Sequence, residues 1–162
     1  MTKIAKAALG ITIVVGFVDY DEAHLYNAAA MIGNGRILHM VHKSLLPTFD
    51  VFDEMRYFTP AKSNEPFGVR VGNRNILVGI SLCEDIWDEE MGYGTPVVDN
   101  LCARGARIIV NVNASPFHDG IGKARLRILR GKAETLHIPI FYVNIVGGQD
   151  ELVFDGESLA ID

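Results

Sequence analysis

The sequence contains few cysteines and no long apolar run. These two features argue against a disulfide-rich secreted protein and against a membrane-spanning protein. Only two cysteines, Cys83 and Cys102, occur in 162 residues, too few for the disulfide framework of a small secreted domain. No apolar stretch approaches the roughly 20 residues that a membrane-spanning helix needs, and no small-residue signal-peptide cleavage site follows the N-terminal lysines. We therefore expect two reduced thiols in a cytoplasmic protein that has no membrane partner.

Positive charge is also scarce. Fifteen Lys and Arg residues are scattered among twenty Asp and Glu residues, which gives a formal net charge of −5. Proteins that bind nucleic acids concentrate basic residues on one face, so nucleic acid is not an expected partner. Hydrophobic residues make up 49% of the chain, as in a globular domain. With no repeat or linker in the sequence, we expect one domain over residues 1–162.

Short β-branched runs alternate with turn and helix signals. Residues 11–17 are predicted to form a strand that is buried on both faces, and Asn34-Gly35 is predicted to close a β-hairpin. Later segments are predicted as a helix over 96–104, a strand over 107–113, a helix over 123–136 and a strand over 138–146. Four basic residues of the second helix are expected on its solvated face: Arg125, Arg127, Arg130 and Lys132. The pattern indicates an α/β fold with a mixed sheet.

Cys83 ends a predicted strand and is followed directly by Glu84 and Asp85. Strand ends are where α/β sheets present reactive groups, and a thiol becomes a strong nucleophile where its surroundings favour the thiolate. Composition alone favours a structural cysteine, because free cysteines are usually buried. Cys102 keeps that structural interpretation, since it lies inside a predicted helix with no motif around it.

Five ordered segments favour a nucleophilic role for Cys83 over a structural one. They are Lys-Ser-Leu-Leu-Pro at 43–47, Val-Phe-Asp-Glu-Met-Arg-Tyr-Phe at 51–58, Cys-Glu-Asp-Ile-Trp at 83–87, Asn-Ala-Ser-Pro-Phe at 113–117, and a block at 142–156 that contains Gly-Gly-Gln-Asp-Glu-Leu-Val-Phe-Asp-Gly. Their order resembles the nitrilase superfamily of carbon-nitrogen hydrolases, and most closely the glutaminase domain of glutamine-dependent NAD synthetase. The resemblance implies an α-β-β-α sandwich with mixed sheets, here a single partial domain truncated at both ends.

The resemblance also implies a role for each motif. Cys83 would attack the side-chain amide of glutamine, Lys43 would stabilise the thiolate and the oxyanion, and Glu54 would orient the lysine. The remaining substrate-binding positions are Glu84, through its backbone N–H, and Ser115, Tyr57 and Phe49. This glutaminase step needs no cofactor and no metal. In NAD biosynthesis the ammonia would pass to a synthetase domain of a longer parent chain, which uses ATP and magnesium to amidate deamido-NAD.

One expected catalytic group has no counterpart in the sequence. The general base of the superfamily is a glutamate that precedes the lysine motif, so we expect the chain alone to be weakly active or inactive. Two alternatives stay open: a stand-alone amidase that acts on a small amide or carbamoyl substrate, and a catalytically dead folded fragment or binding module. Missing strands would leave an apolar face uncovered, so we also expect a homo-oligomer.

Cys83 should be alkylated faster than Cys102. A cationic amine within about 4–6 Å lowers the pKa of a thiol and raises its thiolate fraction, and Lys43 is expected to lie that close to Cys83. The measurement is iodoacetamide labelling followed by peptide mass spectrometry, with Cys83→Ala and Cys102→Ala chains as matched controls. Preferential labelling of Cys102 would contradict the assignment.

Overall fold

A computed structural model describes every residue from Met1 to Asp162 and divides the chain into two compact units, Met1–Asn64 and Glu65–Asp162. The two units contain α-helices together with three β-sheets, one of them mixed. The predicted α/β class is therefore confirmed. None of the helices has both the length and the apolar character that crossing a bilayer requires.

The first unit is built on a three-stranded antiparallel sheet. Its elements are the helix α1 (Thr2–Ala7) and the strands β1 (Thr12–Tyr20), β2 (Leu25–Gly33) and β3 (Arg36–His42), with the strands in sheet order β1-β2-β3. Asn34 and Gly35 both have positive φ angles, 51° and 78°, the conformation that a two-residue hairpin turn requires. The hairpin predicted at Asn-Gly is confirmed.

The burial of β1 differs from the prediction. Residues 11–17 were expected to be buried on both faces, but β1 pairs only with β2 and is partly exposed along its length. Its residues Ile13, Val15 and Phe17 pack with the buried Ala5 and Ala8 on one face. A β-branched run therefore identified the strand correctly, but burial on a second face also needs a layer that local sequence does not specify.

The second unit is built on a five-stranded mixed sheet. Its strands are β4 (Phe67–Val71), β5 (Arg74–Leu82), β6 (Ile108–Asn113), β7 (Ile140–Asn144) and β10 (Leu159–Ile161). β5, β6 and β7 are parallel, and β4 and β10 form the antiparallel edges. The other elements are the helices α2 (Val97–Ala103) and α3 (Ile121–Leu136) and a hairpin of β8 (Val146–Gln149) with β9 (Leu152–Asp155). Parallel pairing brings the carboxyl ends of β5, β6 and β7 to one edge of the sheet.

Apolar packing holds α2 and α3 on this sheet. Leu101 of α2 and Leu129 of α3 share one core with Ile109 and Ile140 of the central strands. Gly79 permits the close approach of α2, because a Cβ at that position would lie 3.2 Å from Cβ of Leu101 and 2.8 Å from Cδ1 of Ile109 on the neighbouring strand. Hydrophobic burial of this kind is the main favourable contribution to folding.

Two basic residues of α3 contradict the expectation of a solvated face. Arg127 and Arg130 are exposed as expected, but Arg125 and Lys132 are buried. Both buried residues lie on the helix stripe that also carries the apolar residues of the core. A buried cation is tolerated where carboxylates pair with it, and the interpretation was wrong because those carboxylates come from distant parts of the chain.

Replacing Ile109 by alanine should lower the free energy of unfolding by about 2–5 kcal/mol, since the substitution opens a cavity in a fully buried site. Ile109 is 0% exposed, whereas Ile145 is 52% exposed. Ile145→Ala is the matched control, with an expected change within about 0.5 kcal/mol. Urea denaturation monitored by circular dichroism measures both variants. Equal effects would show that the core of the second unit is not centred on β6.

Candidate active site

Lys43 directly follows β3 and is 1% exposed. Its Nζ lies 2.6 Å from Oε1 of Glu54, and Nδ2 of Asn27 donates to the other carboxylate oxygen at 3.1 Å. The backbone positions both partners, because Lys43 N–H donates to the Asn27 carbonyl and Glu54 N–H donates to the Pro47 carbonyl. The first unit therefore holds a buried lysine side chain in one orientation.

Two expected pocket residues lie at the surface of the first unit. Phe49 is partly exposed and packs edge-on against Phe52, with the ring centroids 5.9 Å apart. Tyr57 is 60% exposed. It lines an open cleft of about 450 Å³ that does not include Lys43 among its walls. A substrate-binding role for Phe49 and Tyr57 stays a prediction.

Cys83 occupies a strained turn between β5 and a short 3₁₀ helix, Cys83–Ile86. Its φ is 42°, in the left-handed region that non-glycine residues rarely adopt. Hydrogen bonds fix the turn, since Leu82 N–H donates to Oδ2 of Asp85 at 3.0 Å and Trp87 N–H donates to the Glu84 carbonyl at 2.9 Å. Strain of this type clusters at functional sites, and a sharp strand-to-helix turn presents the nucleophile in α/β-hydrolases.

The two acidic residues after Cys83 are both buried. Oδ2 of Asp85 accepts the Leu82 N–H, which ties the helical turn back to the strand. Oε1 of Glu84 accepts the Tyr93 hydroxyl at 3.1 Å. These bonds explain why carboxylates can follow a buried strand, because a buried charge is tolerated only when it is hydrogen-bonded.

Cys102 has a different environment from Cys83. It is half-buried, has helical neighbours, and packs against the apolar core of the second unit. Burial raises the pKa of the Cys102 thiol, and the Asp99 carboxylate adds to the increase. A higher pKa leaves less thiolate at neutral pH, so the environment of Cys102 disfavours nucleophilic chemistry.

Ser115 follows β6 at the edge where the parallel strands end, and it is buried. Its N–H donates to Oδ1 of Asn144 at 2.9 Å, and Nδ2 of Asn144 donates back to the Ser115 carbonyl at 3.0 Å. Asn144 ends β7, and the register pairs it with Asn113 of β6. Parallel pairing therefore brings these polar residues to one end of the sheet.

Sequence patterns did not identify three residues that surround Ser115. Arg125 and Asn144 donate hydrogen bonds to Ser115, and Asp155 accepts hydrogen bonds from both. Burial acts to raise the pKa of Asp155, but the hydrogen bond from Arg125 outweighs it, so the pKa of Asp155 lies below its ordinary value. The sequence does indicate that Arg125 is buried, because it lies four residues from both Ile121 and Leu129 and therefore on the same helix face. That spacing places Arg125 in the apolar stripe.

Tyr142 lies on the central strand next to β6, near the residues that surround Ser115. It is almost fully buried on β7, and Cζ of Arg125 lies 6.0 Å from the centroid of its ring. Burial raises the pKa of Tyr142 to about 12, and the charge at Cys83 adds to the increase. The phenol therefore stays protonated at neutral pH. The register of parallel strands β5 and β6 pairs Leu82 with Val112, so Cys83 and Ser115 both follow their strands at the same end of the sheet.

Lys132 forms a second buried ion cluster in the same unit. Its Nζ lies 2.7 Å from Asp88, 3.4 Å from Asp99 and 3.8 Å from Glu89. Burial acts to lower the pKa of Lys132, but the hydrogen bond to Asp88 and the nearby carboxylates raise it overall. These carboxylates neutralise a lysine, and no group of three or more His, Cys, Asp or Glu residues is arranged to hold a metal ion.

The two units thus each contain part of the predicted site. Lys43 pairs with Glu54 in the first unit, and in the second unit Cys83 and Ser115 follow parallel strands at the same end of the sheet. A buried lysine beside a carboxylate can stabilise developing negative charge, and a cysteine at a strained strand end can act as a nucleophile. The proximity of Lys43 to Cys83 stays a prediction.

Comparisons with known proteins agree with the predicted resemblance. The chain is 44% identical over 95% of its length to the glutamine-dependent NAD(+) synthetase of Thermotoga maritima, and 40% identical over 97% to that of Synechocystis. It spans 25% and 30% of those proteins, respectively. No family model matches the chain. The chain therefore corresponds to one segment of much longer relatives.

Solved structures support the same fold. A glutamine-dependent NAD+ synthetase from Acinetobacter baumannii, solved in complex with ADP, is 34% identical with a TM-score of 0.82 and is matched over 96% of this chain and 28% of its own length. A carbon-nitrogen hydrolase from Helicobacter pylori G27 is 22% identical with a TM-score of 0.79, over 99% of this chain and 56% of its own. The second likeness shows the fold alone. The predicted nitrilase-like fold is confirmed.

Replacing Glu54 by glutamine should destabilise the first unit by about 3 kcal/mol, because it leaves a buried lysine without its carboxylate. The double variant Lys43→Met with Glu54→Gln should recover most of this loss, since neither charge remains. Asp53→Asn is the matched control, because Asp53 is exposed and pairs only loosely with Arg56 at 3.7 Å. Urea denaturation measures these three chains and the Lys43→Met single variant, and additive losses in the double variant would show that the two charges are not coupled.

Proposed function

We propose that this chain, a homologue of one segment of the glutamine-dependent NAD(+) synthetases, hydrolyses the side-chain amide of glutamine and releases ammonia. The observation that carries the proposal is the positive φ of Cys83 at the end of β5. If Cys83 were only a structural residue of the core, its position would not require a strained backbone that buried carboxylates hold in place. The relatives named above supply glutamine as the substrate.

The chemistry requires two steps at Cys83. The Sγ atom attacks the amide carbon, a C–S bond forms, and the carbonyl oxygen becomes an oxyanion. The Lys43 side chain and the backbone N–H of Glu84 stabilise that oxyanion. The C–N bond then breaks and ammonia leaves with an added proton, giving a thioester on Cys83. Water hydrolyses the thioester to glutamate and restores the thiol.

Both steps need a group that transfers protons. Glu54 does not serve this purpose in the proposal, because its two oxygens already accept hydrogen bonds from Lys43 and Asn27. Its role is to orient the lysine. The general base is therefore a group other than Glu54, and a carboxylate placed beside the thiol meets the requirement.

The proposal extends to the larger protein. The ammonia amidates deamido-NAD in a synthetase domain, where ATP and magnesium are used, and the glutaminase step itself takes no cofactor. A homo-oligomer is also proposed, and the exposed apolar side chains of Phe141 and Val143 on β7 favour it, because such surfaces are commonly covered by a partner.

The chain alone should release ammonia from glutamine slowly or not at all, because a placed acid–base group contributes about 10²–10⁴-fold to the rate. The measurement is an ammonia-release assay on this chain and on a longer chain that adds the relatives' preceding segment. Cys83→Ala should abolish activity in the longer chain, and Cys102→Ala is the matched control with unchanged activity. If the short chain equals the longer one and requires Cys83, the general base lies within these 162 residues.

A further inference from the structure

Arg125 is the most enclosed cation of the second unit, with a side chain that is 0% exposed. Its Nη1 donates to both oxygens of Asp155, at 2.9 and 2.7 Å. Its Nη2 donates to the Ser115 carbonyl at 3.0 Å, to Ser115 Oγ at 3.1 Å and to the Pro116 carbonyl at 3.2 Å. One guanidinium thus joins the end of β9 to the loop after β6.

Asn144 makes a second connection between the same residues. Its side chain exchanges two hydrogen bonds with the Ser115 backbone and donates a third to Oδ1 of Asp155 at 3.0 Å. The amide, carbonyl and hydroxyl oxygen of Ser115 are therefore all held by two side chains. Both of these side chains are oriented by Asp155.

This arrangement is costly for a purely structural contact. Moving a charged guanidinium out of water carries a large desolvation penalty, and a well-packed apolar group in its place is often neutral or stabilising. What the guanidinium supplies instead is a planar fork with fixed geometry. Its hydrogen bonds fix the position of the Ser115 hydroxyl, at the end of the sheet where β5 leads into Cys83.

We propose that Arg125 is a positioning residue that fixes the Ser115 hydroxyl for binding glutamine, and that Asp155 holds Arg125 in place. The inference rests on the proposed function. It also gives a physical role to Phe154-Asp155-Gly156, the end of the sequence block at 142–156. Arg125 acts through Ser115 and does not touch the reacting atoms.

The test compares two reagents that alkylate Cys83. A glutamine-shaped diazoketone, 6-diazo-5-oxo-norleucine, needs the pocket in order to react, whereas iodoacetamide needs only an accessible thiolate. For Arg125→Lys and Ser115→Ala, the inactivation constant KI for the diazoketone should rise by about 10- to 100-fold, as expected when a charge-assisted hydrogen bond is lost or displaced. The iodoacetamide rate should stay unchanged.

Arg127→Ala is the matched control, because Arg127 lies on the same helix but is exposed and pairs with Glu90. It should alter neither reagent's reaction. Arg125→Lys keeps the charge and Ser115→Ala removes one hydroxyl, so both variants are less disruptive than Arg125→Ala. Circular dichroism confirms that each is folded before the comparison.

The outcomes separate the inference from the proposed function. A raised KI with an unchanged iodoacetamide rate supports a positioning role. An unchanged KI, or a parallel loss of both reactions in a folded chain, overturns it. If the unaltered chain shows no preference for the glutamine-shaped reagent at Cys83, the proposed function itself fails, and the inference fails with it.

Discussion

A buried cation must be matched by a carboxylate, and this requirement shapes both units of the chain. Lys43 is paired with Glu54, Arg125 with Asp155, and Lys132 with Asp88. Isolated charges in a protein interior cost several kcal/mol, so each pair constrains where its partner segment can lie. The ion pairs therefore determine the positions of loops that apolar packing alone would leave variable.

Two of these pairs involve residues that the proposed function uses. The pair in the first unit orients a lysine side chain, and the Arg125 pair orients the loop that carries Ser115. Between them in sequence lies Cys83, whose strained backbone is held by Asp85. Hydrolysis of an amide needs a nucleophile, stabilisation of an oxyanion and a fixed substrate. In the proposed function, the Lys43 pair serves stabilisation of the oxyanion and the Arg125 pair serves fixing of the substrate.

Local sequence patterns predicted much of the fold. The Asn34-Gly35 turn, the helices α2 and α3, and the central strands β5 and β6 follow from turn chemistry and periodicity. The partial exposure of β1 did not follow, because burial depends on neighbouring layers. The burial of Arg125 and Lys132 was also missed, since their partners Asp155 and Asp88 are far away in sequence. Periodicity within a helix does not identify such partners.

Motif order predicted the candidate site better than periodicity did. It identified Lys43 and Glu54, which the structure pairs, and Cys83, which the structure places in a strained turn. It did not identify Arg125, because that residue lies outside the five segments. A residue that acts by orienting another carries no chemical signature of its own, and only three-dimensional contacts reveal it.

The most direct test of Cys83 as the nucleophile is to trap the thioester. The longer chain, which adds the relatives' preceding segment, is incubated with glutamine, quenched in acid and digested, and the peptides are analysed by mass spectrometry. We expect one γ-glutamyl group on Cys83, with none on Cys102 and none in the Cys83→Ala variant of the same longer chain. A glutamyl adduct on Cys102, or ammonia release that continues in the Cys83→Ala chain, would contradict this assignment.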